Sequence, residues 1–239
     1  MCPVYNEAAN IGALLERLAA QIHTPFSFTA VYDHDTDTTL AALDTLRAEY
    51  AFSIETLKND YGRGALGAVK TGLGHARGVA VVVIMADLAD DLRIVDRMYE
   101  LIANEGYDLV AGSRYMPGGK QIGGPLFKRN LSRLAGVSLH LLTGLPTSDV
   151  TNNFKMYRTS FIRAVSIESR GGFEIAMELT VKAYAGDYRI TEIPSTWTDR
   201  VAGTSRFRLW EWAPHYLRWY WYGIKSSAQR RLRRIAGST

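Results

Sequence analysis

Three carboxylates stand within five residues of one another, at Asp87, Asp90 and Asp91. Carboxylates held this close repel one another unless a cation or a hydroxyl-rich ligand occupies the space between them. Their oxygens are the donors that Mg²⁺ and Mn²⁺ prefer in proteins. The spacing therefore predicts a site for a divalent cation or a polyol substrate.

A buried strand is needed to position these acids. Residues 78–86 form a nearly continuous apolar run that stops abruptly at Asp87. Such a run is typical of a strand in a parallel sheet that helices cover on both faces. Because open α/β sheets bind ligands at the carboxyl ends of their strands, we expect the acids to lie at that edge.

A second acidic turn begins at Asp33, after a predicted strand at residues 26–32. Asp37 or Thr38 is expected to cap the helix that follows. Asp33 stands at the end of the strand and has no capping role, which makes it the better candidate ligand.

The glycines from Gly62 to Gly67 match the pattern G-x-G-x-x-G, and Asp87 lies 20 residues beyond the last of them. This is the spacing of a dinucleotide-binding fingerprint, so a nicotinamide-dependent enzyme remains an alternative. Against it, the unit is not the first of the chain, and polar residues separate the strand from the glycines. The glycines also fit a loop that packs closely against a ligand.

Arginines suited to an anionic group follow in the second half of the chain. Arg114 ends a predicted strand at residues 108–115, and Arg129 and Arg133 share one face of a predicted helix at residues 126–143. The planar guanidinium matches the oxygens of a phosphate. On a helix at residues 173–184, Glu174 and Glu178 are either a solvated face or a functional pair.

The remaining elements alternate along the chain as in an α/β protein. Residues 116–125 are rich in glycine and are expected to form a mobile loop, and residues 197–208 a polar loop. We predict further helices at residues 8–22, 40–50, 65–76 and 92–105, further strands at residues 52–57 and 188–193, and a turn followed by a strand at residues 149–157. Because little of a strand precedes Pro3, we expect the first strand to be truncated and the true start to lie upstream.

Charge is distributed unevenly along the 239 residues, whose net charge is +4. From residue 205 onward there are eight bases and one acid. The same segment contains a dense set of aromatic residues, namely Trp210, Trp212, Trp219, Tyr220, Trp221 and Tyr222. Aromatic and basic residues together are typical of a helix at an anionic membrane surface. No nucleic-acid-binding module is recognisable. A single cysteine and the lack of a long apolar run predict a cytoplasmic protein, peripheral at the inner face of the membrane.

Taken in order, the motifs resemble family 2 glycosyltransferases. The matching segments are residues 3–7 (PVYNE), the turn at Asp33, Asp87 after its strand, and residues 112–115 (GSRY). Residues 149–155 and 199–206 further resemble the D-x-T-S-G-F and D-R-x-x-G-x-S segments of the dolichyl-phosphate mannose synthase branch.

The resemblance implies a GT-A fold, with a mostly parallel central sheet flanked by helices and a C-terminal amphipathic helix. The implied domains are a catalytic one at residues 1–208 and a membrane-interface helix at residues 209–239. The implied reaction is metal-dependent transfer from a UDP- or GDP-sugar to a polyprenyl phosphate, with inversion at the anomeric carbon. An acceptor phosphate is already ionised near pH 7, so no strong base is required.

Roles are carried over by position. Pro3, Tyr5 and Glu7 would line the base and ribose, with Asp33 on the base. Asp87 would hold Mg²⁺ or Mn²⁺. The acceptor phosphate would lie near Arg114, Arg129 and Arg133, while Arg200 and Arg206 would close over the donor.

The chain departs from the family pattern at two positions. Met85 stands where the D-x-D motif has its first aspartate, and Tyr32 replaces the first acid of the other turn. Because a thioether is a poor ligand for Mg²⁺, Asp90 or Asp91 is expected to substitute. Transfer to a soluble acceptor and an inactive nucleotide-sugar-binding protein remain alternatives.

Overall fold

The computed structural model describes residues 1–199 and 209–236. Arg200 and Arg206 lie outside the described residues. The strands are β1 (Cys2–Pro3), β2 (Phe28–Tyr32), β3 (Ile54–Lys58), β4 (Ala80–Val82), β5 (Leu109–Ser113), β6 (Lys120–Ile122), β7 (Lys155–Arg158), β8 (Ile190–Pro194) and β9 (Thr196–Thr198). The helices are α1 (Ala8–Gln21), α2 (Thr38–Leu46), α3 (Ala65–Gly74), α4 (Val95–Ala103), α5 (Leu126–Thr143), α6 (Thr159–Ala164), α7 (Ile175–Ala185) and α8 (Leu209–Ala236).

The central sheet runs in the order β3-β2-β1-β4-β7-β5-β8. Strands β1, β2 and β3 are parallel, and β8 is parallel to β5, whereas β7 is antiparallel to both of its neighbours. Met1 joins the two halves, because its amine donates to the Val82 carbonyl at 2.9 Å and its carbonyl accepts from Ile84 N at 3.1 Å. The prediction of a mostly parallel sheet is confirmed.

Side chains of β4 alternate between two apolar cores, as its unbroken apolar sequence requires. Val81 and Val83 pack on the side of α3, α6 and α7, whereas Ile84 packs on the side of α1 and α4. Helices therefore cover both faces of the sheet. Strand β4 itself ends at Val82, so residues 83–86 lie between it and Asp87, which the sequence had placed directly after the strand.

Several predicted boundaries were wrong. The glycine-rich segment is not only a loop, because β6 forms there and pairs with β9 in a small separate sheet. The turn and strand predicted at residues 149–157 are present, with the strand as β7, whereas α6 was not predicted. Each error has the same origin, since the hydrogen-bonding partner or packing surface lies far away in the sequence.

The C-terminal helix α8 packs on the body of the protein rather than standing apart. Trp219 is buried in one of the two cores, and Gly223 contacts Leu139 of α5 and Val181 of α7. A Cβ at Gly223 would lie 3.1 Å from Val181, which shows how closely the helices approach. In the described part of the chain, no helix is both long and apolar enough to cross a membrane.

Candidate active site

The turn after β1 is fixed by the start of α2. Asn6 N donates to both oxygens of Asp37, at 3.0 and 3.1 Å, and Glu7 N donates to Thr39 Oγ1 at 2.9 Å. Asp37 also accepts from Thr39 N at 2.8 Å, which confirms it as the N-cap. The contacts of Asp37 and Thr39 with this turn were not predicted from the sequence.

Residues of this turn differ in what they present to a ligand. Tyr5 is exposed, and its ring meets the ring of His34 edge to face with 6.4 Å between centroids. Glu7 is half-buried and accepts from Asn10 Nδ2 at 2.8 Å. Pro3 is buried in β1, so it supports the turn and offers no open surface.

Asp33 anchors the glycine loop between β3 and α3. Its Oδ1 accepts from Asn59 Nδ2 and its Oδ2 from Gly64 N, both at 2.8 Å. The loop needs glycine, because Gly62 and Gly64 have φ values of +86° and +105°. Asp33 thus positions this loop, a contact that the sequence did not predict, while the next residue, His34, contacts Tyr5.

The three acids that follow β4 do not share one site. Asp90 is buried and accepts from Met85 N at 3.1 Å, whereas Asp91 binds Arg93 through both carboxylate oxygens at 2.7 and 2.9 Å. Within residues 1–199 and 209–236, no group of three acidic, histidine or cysteine side chains is placed to hold a metal ion. The structure thus sets Asp91, which is engaged with Arg93, apart from Asp90.

The pKa values of Asp90 and Asp91 are shifted in opposite directions. Burial, together with the charge of Asp87, raises the pKa of Asp90 to about 7. Partial burial would raise the pKa of Asp91, but the hydrogen bonds and charge of Arg93 lower it. Asp87 itself is half-buried at the end of the strand, and its Oδ1 accepts from Ala89 N at 3.2 Å.

This donor set fits a divalent cation at Asp87 with Asp90 behind it. The two carboxylates lie close enough to act on one another, and a cation would relieve their repulsion. Oxygens of a diphosphate would have to complete the coordination shell, because Asp91 is engaged with Arg93. Arg17 stabilises the acidic segment because it donates to the carbonyls of Leu88 and Asp90.

Arg114 lies at the end of β5 in a buried ion pair. Its Nε and Nη2 donate to the two oxygens of Asp149 at 2.7 and 2.9 Å, and its backbone N donates to the same carboxylate at 3.0 Å. Burial would raise the pKa of Asp149, but the charge of Arg114 lowers it below its usual range. Arg114 is therefore largely committed to Asp149, whereas the sequence had placed it at an acceptor phosphate.

A cluster of hydroxyl groups surrounds this ion pair. Arg114 Nη2 donates to Thr151 Oγ1 at 3.1 Å and to Ser132 Oγ at 3.3 Å, and Tyr115 Oη donates to Ser132 Oγ at 2.7 Å. We call Arg114, Tyr115, Ser132, Asp149 and Thr151 the Arg114 cluster. Ser132, Tyr115 and Thr151 were missed as site residues, although Asp149 and Thr151 stand in the D-x-T motif.

Helix α5 carries two further arginines, and one of them, Arg133, lies close to the cluster. Gly136 allows this approach, because a Cβ there would lie 2.2 Å from the carbonyl oxygen of Ser148. Arg129 is half-buried and Arg133 exposed, and the charge of Arg133 acts on the phenol of Tyr115. Of the predicted arginines, these two have more open side chains than Arg114.

Lys155 supports the cluster through hydrogen bonds to the backbone around Asp149. It is fully buried at the start of β7, and its Nζ donates to the carbonyl of Asp149 at 3.0 Å and to that of Asn152. Burial lowers the pKa of Lys155 to about 7.

The pair Glu174 and Glu178 is not a solvated face. Both side chains are fully buried. Glu174 accepts from the backbone N–H groups of Arg170, Gly171 and Gly172, and Glu178 accepts from those of Glu168 and Ser169. They hold the loop at residues 168–172, on which α8 packs through Trp212 and His215.

Comparison with known proteins identifies the family to which this chain belongs. The sequence model of the family described as "Glycosyl transferase family 2" matches residues 1–166, more than half of the chain. The chain belongs to glycosyl transferase family 2. It is a glycosyltransferase, as the order of its motifs indicated.

Relatives in this family are similar over most of the chain. An undecaprenyl-phosphate mannosyltransferase of Micrococcus luteus is 32% identical over 212 residues, which are 85% of this chain and 84% of that protein. A dolichol-phosphate mannosyltransferase of Pyrococcus furiosus is 28% identical over 225 residues, 90% of this chain and 61% of that protein. A polyprenol monophosphomannose synthase of Mycolicibacterium smegmatis is 27% identical over 212 residues, 85% of this chain and 78% of that protein.

Solved structures agree on the fold. Glucosyl-3-phosphoglycerate synthase of Mycobacterium tuberculosis, crystallised with Mn²⁺ and uridine diphosphate, superimposes with a TM-score of 0.64 at 16% identity, over 95% of this chain and 78% of that one. Residues 1–349 of TarS from S. aureus, in complex with UDP, give a TM-score of 0.59 at 20% identity, over 83% and 59% of the two chains. The predicted GT-A fold is confirmed.

Proposed function

We propose that this family 2 enzyme transfers a sugar from a nucleoside-diphosphate donor to a polyprenyl phosphate, with inversion at the anomeric carbon and with a divalent cation. One observation carries the proposal: the acidic segment after β4 and the Arg114 cluster lie side by side. The charge of Arg114 acts to lower the pKa of Asp90, and Asp90 in turn acts to raise the pKa of Arg114. The proposed cation site and the proposed anion site would thus meet at one edge of the sheet.

The relatives support a lipid-phosphate acceptor. Three of them, from different organisms, are named as transferases to undecaprenyl phosphate, dolichol phosphate or a polyprenol phosphate. In this chain, the anionic end of such an acceptor would meet Arg129 and Arg133 at the start of α5. Arg114 would act mainly through the ion pair with Asp149, which fixes the end of β5 below them.

The donor would lie across the first half of the sheet. Tyr5, Glu7 and the loop that Asp33 anchors form the open surface for base and ribose, while Asp87 and Asp90 would hold Mg²⁺ or Mn²⁺. When bound, the cation supplies positive charge to the diphosphate that leaves. The M. luteus and P. furiosus relatives are named mannosyltransferases, which makes mannose the first sugar to test, on UDP or GDP.

Chemistry of the acceptor explains why no general base is needed. A phosphate monoester carries negative charge at neutral pH, so its oxygen attacks the anomeric carbon without losing a proton. The residues of this chain then have to orient two anions and offset their repulsion. Guanidinium groups fulfil this role, since they bind phosphate oxygens in a planar fork and stay charged. Arg200 and Arg206 remain candidates for closing over the donor.

Such an acceptor is embedded in a membrane, so the protein has to work at a membrane surface. We propose that it does so as a peripheral protein at the cytoplasmic face, with α8 in contact with anionic lipid. The aromatic and basic composition of α8 supports this part of the proposal.

The proposal is tested with the purified full chain, radiolabelled UDP- and GDP-sugars, and a polyprenyl phosphate. With Mg²⁺ or Mn²⁺ we expect release of the nucleoside diphosphate and label in the organic phase. Chelation by EDTA should abolish both. Label transferred only to water-soluble acceptors would contradict the lipid acceptor, and a failure to bind any nucleotide sugar would contradict the enzymatic proposal.

Two matched aspartate variants test the cation site. Asp87→Asn should reduce turnover at least a hundredfold, whereas Asp91→Asn, which only releases Arg93, should reduce it little. Equal losses in both variants, or no loss of turnover in either, would contradict the assignment of the cation to Asp87.

A further inference from the structure

The outer face of α5 is apolar although it faces away from the protein. Phe127, Leu131, Leu134 and Leu141 recur at helical spacing, with exposed fractions between 40 and 74%. On the opposite face, Gly136, Leu139 and Thr143 are buried. Periodicity of this kind usually marks a core-facing stripe, but here that role belongs to the other side.

Helix α8 carries a second outward stripe. Leu217, Trp221 and Leu232 are each more than half exposed, and Ile224 and Ala228 complete the spacing i, i+4, i+7, i+11, i+15. The buried residues of α8, such as Trp219 and Gly223, lie on its other side.

The two stripes join along the seam between the helices. Ser138 Oγ and Tyr220 Oη lie 2.8 Å apart, and Arg231 donates to the carbonyl of Leu142 at 3.2 Å. A shallow cavity of about 390 Å³ at the seam is lined by Leu142, Ile224, Ser227, Ala228, Arg231 and Leu232. We call the combined surface the docking face; it consists of Phe127, Leu131, Leu134, Leu141, Leu142, Leu217, Trp221, Ile224, Ala228 and Leu232.

Charges on these helices are almost all positive. Helix α5 has no acidic residue, and α8 has only Glu211. Around the docking face, Arg133 lies on α5, and Lys225, Arg231 and Arg233 lie on α8; all four are exposed. A second copy of this chain would bring like charges together, whereas an anionic lipid surface would complement both the apolar face and its basic surroundings.

We propose that the docking face inserts into the headgroup and acyl boundary of an anionic bilayer, with α5 and α8 lying side by side. This inference rests on the proposed function, because it specifies the face of the protein at which the lipid acceptor binds. The inner face of α5 carries Ser132 of the Arg114 cluster. Since a helix is about 10 Å thick, the cluster lies within one helix diameter of the lipid. An acceptor phosphate can then reach Arg129 and Arg133 while its chain stays in the membrane.

Flotation of the full chain with vesicles tests the docking face. We expect binding to vesicles of phosphatidylcholine with 30% phosphatidylglycerol, weaker binding to phosphatidylcholine alone, and a loss of binding as salt is raised. The double variant Leu134→Gln/Leu141→Gln removes two exposed apolar side chains of α5 and leaves the net charge unchanged. Its affinity for the anionic vesicles should fall by at least about tenfold.

A control variant separates α5 from exposed apolar residues elsewhere. Val79 is 52% exposed, lies directly before β4 and does not belong to the docking face. The variant Val79→Gln should therefore bind vesicles like the wild type. Circular dichroism and thermal melting of both variants check that folding is unchanged. Unaltered vesicle binding by the α5 variant would overturn the proposal, as would a dimer in light scattering that the variant dissociates.

Activity measurements distinguish this inference from the proposed function. With a short, water-soluble polyprenyl phosphate, the α5 variant should turn over like the wild type, whereas with a long-chain acceptor in vesicles it should be at least tenfold slower. If neither protein has activity but vesicle binding still depends on Leu134 and Leu141, the proposed function fails and the docking face stands. Equal slowing on both acceptors would contradict a membrane role for this face.

Discussion

Replacing Asp149 by asparagine removes the counter-charge of a buried cation while keeping the shape of the side chain. In the wild type, Arg114 Nε and Nη2 bind the two oxygens of Asp149, whose side chain is fully buried. In the variant, one of these guanidinium donors faces an amide NH₂ group, and the positive charge stays in place without compensation. Breaking a buried pair from one side costs about 3 to 5 kcal/mol, a large part of the roughly 5 to 15 kcal/mol that stabilises a typical protein.

Urea unfolding followed by tryptophan fluorescence measures this cost, and an exposed pair provides the control. Asp44 and Arg47 form a salt bridge at 3.0 Å on α2, with most of the Asp44 side chain exposed. Asp44→Asn should change the free energy of unfolding by less than about 1 kcal/mol. If Asp149→Asn costs no more than Asp44→Asn, the account of Arg114 as a structural partner of Asp149 is refuted.

The pH dependence of this difference has a definite sign. Because the pKa of Asp149 is lowered in the folded protein, its stabilising effect is complete above the ordinary aspartate pKa of about 3.9. The effect disappears as the pH falls through the lower, folded value. The contribution of this carboxyl to the gap between wild type and Asp149→Asn should therefore be complete above about pH 5 and disappear only below about pH 4. A gap that closes near neutral pH would contradict the lowered pKa.

Two further substitutions test the support of the cluster. Because burial lowers the pKa of Lys155 to about 7, the folded protein binds fewer protons than the unfolded chain up to about pH 10. The unfolding free energy of the wild type should thus rise relative to that of Lys155→Met by roughly 3 kcal/mol between pH 7 and 10. A difference that does not change with pH would contradict the lowered pKa of Lys155. Gly136→Ala places a Cβ against the Ser148 carbonyl and should destabilise by about 1 to 3 kcal/mol, as measured by urea unfolding. Gly74→Ala, which meets open space at the end of α3, should be neutral or stabilising.

Local patterns in the sequence were sufficient for the elements that surround the site. The bounds predicted for α5 match the structure, because its amphipathic period and its ends are encoded within residues 126–143. The burial of β4 on both faces followed from its unbroken apolar run, and the cap at Asp37 followed from residue type. These features depend on neighbours in the chain.

Features that depend on distant residues could not be predicted. Arg114 was expected at a phosphate because its partner, Asp149, lies 35 residues away in the sequence. The strand β6 forms only because β9 pairs with it. Likewise, the leucines of α5 have the spacing of a core stripe, and only the packing of α5 through Gly136 and Leu139 shows that they face outward.

Met85 raises the question of what replaces the first aspartate of the family's D-x-D motif. Either Asp90 or Asp91 was expected to substitute, and the structure separates them. Asp91 is turned toward Arg93, whereas Asp90 accepts from the backbone N–H of Met85 itself. The carboxylate of Asp90 therefore lies within hydrogen-bonding distance of the backbone at the position where the aspartate is missing. Because it is also close enough to Asp87 for their charges to interact, Asp90 is the acid whose geometry fits the vacant role.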